Sequence, residues 1–202
     1  MKLEEPVFIA LYTYTKALSV ALGYRDLLTR LHSDRVRGLS VEIALACGLS
    51  NKELDVLKIA ASFHDIGKIG IPDHVLLKPA KLNDAEWEVM KKHSEIGEKI
   101  IAATELEGSQ QAALVIRHHH EHYSGLGYPD GLSGQDISIC ARIISIADSY
   151  DAMAVTRSYH RARTHQDIME ILYQEAGEKH DPDLMPTFCD IIESSNFKAA
   201  KT

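Results

Sequence analysis

No stretch of this chain is apolar for the roughly 20 residues that a membrane-spanning helix needs, so no span is expected. The short apolar start at Phe8-Ile9-Ala10-Leu11 runs into Tyr and Thr rather than a small-residue cleavage site and does not read as a signal peptide. Cysteine is scarce. The three present, Cys47, Cys140 and Cys189, are far apart, odd in number and without paired metal-ligand spacing. Each sits among apolar neighbours, which predicts buried, reduced thiols in a cytoplasmic protein. Basic runs are missing too, and Lys and Arg number 22 against 29 Asp and Glu, for a net charge of -7. Affinity for extended nucleic acid rests on many cationic contacts to phosphate, so such a partner is not expected. Alternating strand patterns, internal repeats and low-complexity segments are absent as well.

Helical periodicity is what remains. Its 202 residues suit one well-cored domain, and the apolar spacing predicts an all-α helical bundle. Helices are expected over 7–30, over 34–46 capped by Ser33, and over 51–66 capped by Ser50 with Glu53. A loop carrying Gly70, Pro72 and Pro79 follows. Asn83 with Glu86 opens a helix to 103, with a bend expected near Gly97, and another covers 109–120. Four glycines and a proline make 123–138 a structured loop. Helices over 139–155 and 165–176 come next, and Pro182 is placed in the first turn of the last one.

Ionisable side chains occupy helix stripes where apolar ones belong. Leu57, Ala60, Ala61 and His64 share one face, as do Val89, His93, Ile96 and Ile100, and Ala112, Val115, Ile116 and His119. Cys140, Ile144, Asp148, Asp151 and Val155 form a stripe with two carboxylates. Leu28, His32, Val36 and Leu39 form another if helix runs across position 33. One histidine on an apolar face is ordinarily a hydrogen-bonded core residue. Five such stripes, one with His64-Asp65 and another with His119-His120, call for a common cause. Few Lys or Arg residues sit on them, and a buried unpaired carboxylate costs several kcal/mol. Bound cations remove that cost, because imidazole and carboxylate are good ligands for Fe, Mn or Zn. His74, His160, His165 and His180 lack this context and are expected at the surface or in loops.

These residues, in this order, resemble the HD-GYP family of HD-domain metal-dependent phosphohydrolases. The match includes His32-Ser33-Asp34-Arg35-Val36, His64-Asp65-Ile66-Gly67-Lys68-Ile69-Gly70, and His93 with Gly97. It continues through His119-His120-Glu121, Gly125-Leu126-Gly127-Tyr128-Pro129, Asp148-Ser149-Tyr150-Asp151 and Arg157-Ser158-Tyr159. It runs from about 31 to 192. The division expected is an N-terminal helix or linker over 1–30, left from a longer sensory protein, a domain over 31–195 and a tail over 196–202.

The resemblance implies hydrolysis of cyclic di-GMP or cyclic GMP-AMP to the linear dinucleotide, and onward to GMP, at two divalent metal ions, Fe or Mn. It places one metal on His32, His64, Asp65 and Asp148, and the second on Asp65, His93, His119 and His120. Trinuclear members carry a glutamate where this chain has Leu28, so a binuclear site is implied. Asp65 and Lys68 are the implied catalytic pair, with Lys68 one turn beyond His64 and in reach of a phosphate oxygen. Gly127, Tyr128, Asp151 and Arg157 are implied substrate contacts, although Tyr128 and Gly127 also suit a tight turn closed by Pro129, and Asp151 also suits holding a neighbouring helix. Ser124, His122 and His160 depart from the family pattern in the loop and substrate region. Two other readings compete: a receptor that binds the dinucleotide, or a GGDEF-type partner at the Gly-Tyr-Pro loop, without turnover, and an HD-type di-iron oxygenase. The loop and Lys68 argue against the oxygenase, and intact ligands at all seven positions argue against the receptor, although the altered loop residues speak for it.

Overall fold

The computed structural model of the chain describes residues 6–155 and 162–199, so Arg157 and His160 lie outside the described residues. Among the described residues ten α-helices follow in order: α1 Pro6–Arg25, α2 Leu27–Ala46, α3 Asn51–Phe63, α4 Asp73–Leu76 and α5 Asp84–Lys91. Then come α6 His93–Ala102, α7 Ser109–His118, α8 Ile139–Ala154, α9 His165–Glu175 and α10 Met185–Ser194. Tight 3-10 turns occupy Ile66–Gly70 and Gly134–Asp136. No strand forms among the described residues, and none of their helices is long and apolar enough to cross a membrane.

The bundle is organised about α8. Its buried residues run round the helix, from Cys140 and Ala141 through Ile143, Ile144, Ile146 and Ala147 to Tyr150, as expected for a helix covered on every side. Helix α2 packs against α3 and α8, and α6 packs against α7 and the Ile66–Gly70 turn. This arrangement brings the ends of α3, α5 and α7 beside the N-terminal part of α2, at His32, and the C-terminal half of α8. Close approach at the Ile66–Gly70 turn depends on Gly67, where a Cβ would lie 1.9 Å from the His93 carbonyl oxygen.

Both predicted capping boxes form, Ser50 with Glu53 and Asn83 with Glu86, and Thr164 caps α9 through the Asp167 amide. Several boundaries differ from the periodicity. The first break falls at Asp26, whose carboxylate accepts from the Thr29 amide at 3.3 Å and hydroxyl at 2.6 Å. Ser33 is no cap; its hydroxyl donates back to the Thr29 carbonyl at 3.1 Å inside α2. The bend expected at Gly97 is instead a break at Lys92. Helices α3 and α7 stop at Phe63 and His118, earlier than expected. The proline in the first turn of α10 is Pro186, not Pro182. Of the cysteines only Cys140 is fully buried, and all three are free thiols.

His74 is exposed, as expected, but His180 is 1% exposed and donates from Nε2 to the Glu175 carboxylate at 3.2 Å, while His165 is bonded between Tyr150 and Glu193. His180 sits in no apolar helix stripe, but His165 shares one with Ile168, Met169 and Leu172, a helical spacing that marks it as inward-facing.

Candidate metal centre

Three histidines are set by one local device. His64 follows the last residue of α3, His119 follows α7, and His93 opens α6 after the break at Lys92. Each places Nδ1 on the carbonyl oxygen three residues earlier: His64 on Ala61 at 2.8 Å, His93 on Met90 at 2.8 Å and His119 on Ile116 at 2.6 Å. Carbonyls at helix ends lack backbone donors, and a carbonyl only accepts, so each Nδ1–H is the donor. In the neutral ring Nε2 is then left with a lone pair, the usual arrangement of a metal-ligating histidine.

Those lone pairs converge. His93 Nε2 and His119 Nε2 lie 3.4 Å apart. Burial pushes both rings below the usual imidazole range, His119 down to about 3, so no proton joins them. Burial and the neighbouring His119 and His93 hold His120 low as well. His64 Nε2 is buried with no hydrogen-bond partner. Uncompensated lone pairs facing one another in a buried site are costly.

The carboxylates complete the cluster. Asp65 turns Oδ1 to His93 Nε2 at 3.6 Å, and Oδ2 to His64 Nε2 at 3.6 Å and His32 Nε2 at 3.9 Å. It therefore stands between two groups. Asp148 Oδ1 lies 2.8 Å from His32 Nε2 and 4.0 Å from His64 Nε2. Burial works against both charges, but Lys68 and the imidazoles outweigh it at Asp65, and the His32 hydrogen bond outweighs it at Asp148, so both carboxyls are held well below their usual range. His32, His64 and Asp148 bring one ligand atom each within 4.8 Å of one another, and so do His93, His119 and His120. An orphaned imidazole nitrogen, a facing pair of lone pairs and a nitrogen–oxygen donor set fit divalent cations, and these groups can bind metal.

Burial opposes a charge on His32, but its hydrogen bonds to Asp148 and Asp151 prevail and raise it to about 9. A cation held at Nε2 would take the place of that proton. Asp151 Oδ2 meets His32 Nδ1 at 2.6 Å, and Arg35 grips the same carboxylate through Nε at 2.6 Å and Nη2 at 2.9 Å. Asp151 thus faces His32 and Arg35 and is not among the residues lining the cavity. Arg35 was missed as a functional residue because it lies off the buried stripe of α2.

The Gly-Tyr-Pro loop is fastened from beneath by Glu121, which is 2% exposed and accepts from the Asp130 amide at 2.7 Å and the Gly131 amide at 3.1 Å. Gly127 does not line the cavity; a Cβ there would lie 2.2 Å from the His122 amide nitrogen, so its bareness serves the turn. Tyr128 does line it, its ring tilted 33° against His120 with centroids 4.9 Å apart. Lys68 reaches the cavity wall with Nζ 2.7 Å from Asp65 Oδ2.

Above the cluster opens a cavity of about 560 Å³, with His32, Asp65, His93, His120 and Asp148 at its base. That volume is in the range of small-molecule sites. Its walls carry Arg35, Lys68, Trp87, Met90 and Tyr128.

Comparison with known proteins follows the same lines. The family model described as HD domain matches residues 18–184. The chain is 41% identical over 165 residues to the cyclic di-GMP phosphodiesterase response regulator RpfG of Xanthomonas campestris, covering 82% of this chain and 44% of that protein. It is 39% identical over 168 residues to the 3'3'-cGAMP-specific phosphodiesterase 2 of Vibrio cholerae, covering 83% of this chain and 32% of that one. The chain spans less than half the length of these curated relatives. Among solved structures, the HDG"Y"P protein Bd1817 of Bdellovibrio bacteriovorus superposes with a TM-score of 0.66 at 20% identity, covering 93% of this chain and 60% of that chain. The HD domain of the L. monocytogenes phosphodiesterase PgpH, in complex with cyclic-di-AMP, gives 0.61 at 16% identity, covering 87% and 92%. These two likenesses concern the fold. With the family model spanning most of the sequence and the ordered histidine and aspartate set in place, the chain belongs to the HD-domain family, in its HD-GYP branch.

Proposed function

We propose that this chain is the catalytic unit of a metal-dependent phosphodiesterase that opens one phosphodiester of cyclic di-GMP or cyclic GMP-AMP, giving the linear dinucleotide and then GMP. One observation carries the reading. The unprotonated His93 and His119 Nε2 atoms stand 3.4 Å apart beside a carboxylate, Asp65, that faces both halves of the cluster.

His32, His64, Asp65 and Asp148 would hold one divalent cation and Asp65, His93, His119 and His120 the other, Fe or Mn, supplying Lewis-acid charge and a water of lowered pKa. Lys68 donates to a phosphate oxygen from the cavity wall, adding fixed positive charge where negative charge grows. Tyr128, whose phenol is driven up chiefly by burial, stays protonated and acts only as a donor or packing surface. Asp151 is assigned to orienting His32 through Nδ1. Arg157 keeps the substrate-contact role that the resemblance implies. The proposal covers residues 31–195 as the domain, with 1–30 as helix or linker, acting in the cytoplasm. A GGDEF-type partner fits the Gly-Tyr-Pro loop, where Leu126 is 75% exposed.

The test is metal analysis of purified protein alongside turnover of both dinucleotides under reducing, iron-replete conditions. About two Fe or Mn per chain and release of linear dinucleotide are expected, with His64→Ala abolishing turnover. Undiminished hydrolysis by the His64→Ala protein overturns the mechanism, and tight binding without hydrolysis by the metal-loaded chain leaves a receptor.

A further inference from the structure

Helix α5 buries none of its side chains fully, yet it carries the chain's one tryptophan. Trp87 is 46% exposed and lines the cavity over the histidine and aspartate cluster. A single exposed apolar residue on a protein surface is ordinary. This one faces a cavity whose neighbouring wall is also apolar, built from Leu76, Leu77, Leu82 and Met90.

The ring is fixed relative to the cluster. Trp87 meets Tyr128 edge-on, with centroids 6.2 Å apart and planes at 85°, and Tyr128 lies in turn against His120. Tyr128 is already engaged on several sides, since Lys91 Nζ also stands 5.7 Å from its centroid. Helix α5 is itself pinned by the Asn83–Glu86 box and by Lys78, whose Nζ lies 2.5 Å from Glu86 Oε2. An indole with open area, one aromatic ring out from the cluster, shares the cavity whose base the cluster forms.

We propose that Trp87 is the platform on which one nucleobase of the dinucleotide stacks, a substrate-positioning residue; this rests on the cyclic-dinucleotide reading above. Stacking accepts any base because each has a π-face, and its loss is felt in binding. Trp87 therefore holds guanine and adenine alike and leaves the choice between cyclic di-GMP and cyclic GMP-AMP to other residues.

The sole tryptophan gives a direct readout. The full chain is titrated with non-hydrolysable phosphorothioate analogues of both dinucleotides while indole emission is followed, with inorganic phosphate as control. Saturable quenching by both analogues and none by phosphate is expected. In steady-state assays Trp87→Ala raises KM for both substrates by a similar factor, about 10-fold or more, with kcat changed less. Trp87→Phe recovers most of the loss, which separates stacking from damage to the fold. Unchanged emission at saturating analogue, or an unchanged KM in the alanine variant, overturns the platform while wild-type hydrolysis leaves the phosphodiesterase reading standing. Saturable quenching in a wild-type protein that hydrolyses neither dinucleotide supports the platform and sinks that reading instead.

Discussion

Asp151 Oδ2 lies 2.6 Å from His32 Nδ1, on the opposite edge of the ring from Asp148 Oδ1, which is 2.8 Å from Nε2. The ring is clamped between two carboxylates three residues apart on α8, so the α-helical period itself sets its plane. Asp151 then fixes which nitrogen carries the hydrogen, leaving the other for a cation. Asp151→Asn keeps the size but removes the charge that holds the Nδ1 proton and the Arg35 fork. Metal affinity is expected to fall about 10- to 100-fold with helicity unchanged. Competitive titration against a chromogenic chelator measures it, and wild-type affinity in that variant removes the orienting role.

Lys68 has a different assignment. Its Nζ touches Asp65 Oδ2 at 2.7 Å, yet the cluster already surrounds that carboxylate with three imidazoles. Lys68→Ala should leave metal content near wild type and lower kcat by about 100-fold, the usual loss for a donor to a charge-developing oxygen. Simultaneous metal analysis and turnover decide the matter. Loss of metal together with activity places the lysine in the support of Asp65 rather than at the phosphate.

Two glycines with the same look in the sequence differ in what surrounds them. A Cβ at Gly67 would meet backbone, the His93 oxygen at 1.9 Å and the Gly97 nitrogen at 2.6 Å, whereas at Gly97 it would meet the Ile116 Cγ2 methyl at 2.9 Å. Backbone cannot step aside without separating His64 and Asp65 from His93, but a side chain can rotate. Gly67→Ala is expected to cost about 3 kcal/mol or more and Gly97→Ala about 1 kcal/mol. In a domain of this size the first lowers Tm by roughly 6–12 °C and the second by a few degrees. Equal melting temperatures for the two variants contradict the packing argument.

Much of the cluster was legible because burial of ionisable groups leaves a trace in helical periodicity. His64, His93, His119 and Asp148 each replace an apolar residue on an inward stripe, and the structure brings all four together with His32, Asp65 and His120. The helix ends were less legible. Helices α3 and α7 stop where a histidine side chain donates to the carbonyl three residues back, an interaction that propensity does not register. The same holds at Lys92, where His93 bonds to Met90. Asp26 could have been read as a cap, since Thr29 stands three residues on, but the apolar stripe continued past it. Glu121 is bonded to the Asp130 and Gly131 amides of the loop and His180 to Glu175, all outside helical spacing, and no periodic pattern announces either. Gly127 and Asp151 each carried two readings, a substrate contact or a structural role, and the structure sets Gly127 close against the His122 amide and Asp151 against His32 and Arg35.

The Gly-Tyr-Pro loop is held at its far end by Asp130, and this anchor gives a pH dependence with a definite sign. Arg117 donates to both Asp130 oxygens at 2.7 Å and His118 Nε2 lies 2.8 Å from Oδ2. The Arg117 hydrogen bonds, with a smaller share from His118, hold the carboxyl down to about 2 against the burial that opposes them. A carboxyl lowered by folding contributes its stability above its unfolded value near 4, and loses it as pH falls through the folded one. Asp130→Asn removes that contribution at every pH. The difference in stability between wild type and variant should be constant from neutral pH down to about 4, and then shrink toward pH 2. Because the carboxylate is about one-third exposed, solvent screens the pair and the plateau should not exceed about 1 kcal/mol. Melting curves of both proteins across pH 2.5–7 read the difference directly, and the shared titration of Asp65 and Asp148 cancels between them. A gap that widens on acidification means that another group drives the effect. A plateau near zero at neutral pH means that Glu121, through the Asp130 and Gly131 amides, holds the loop alone.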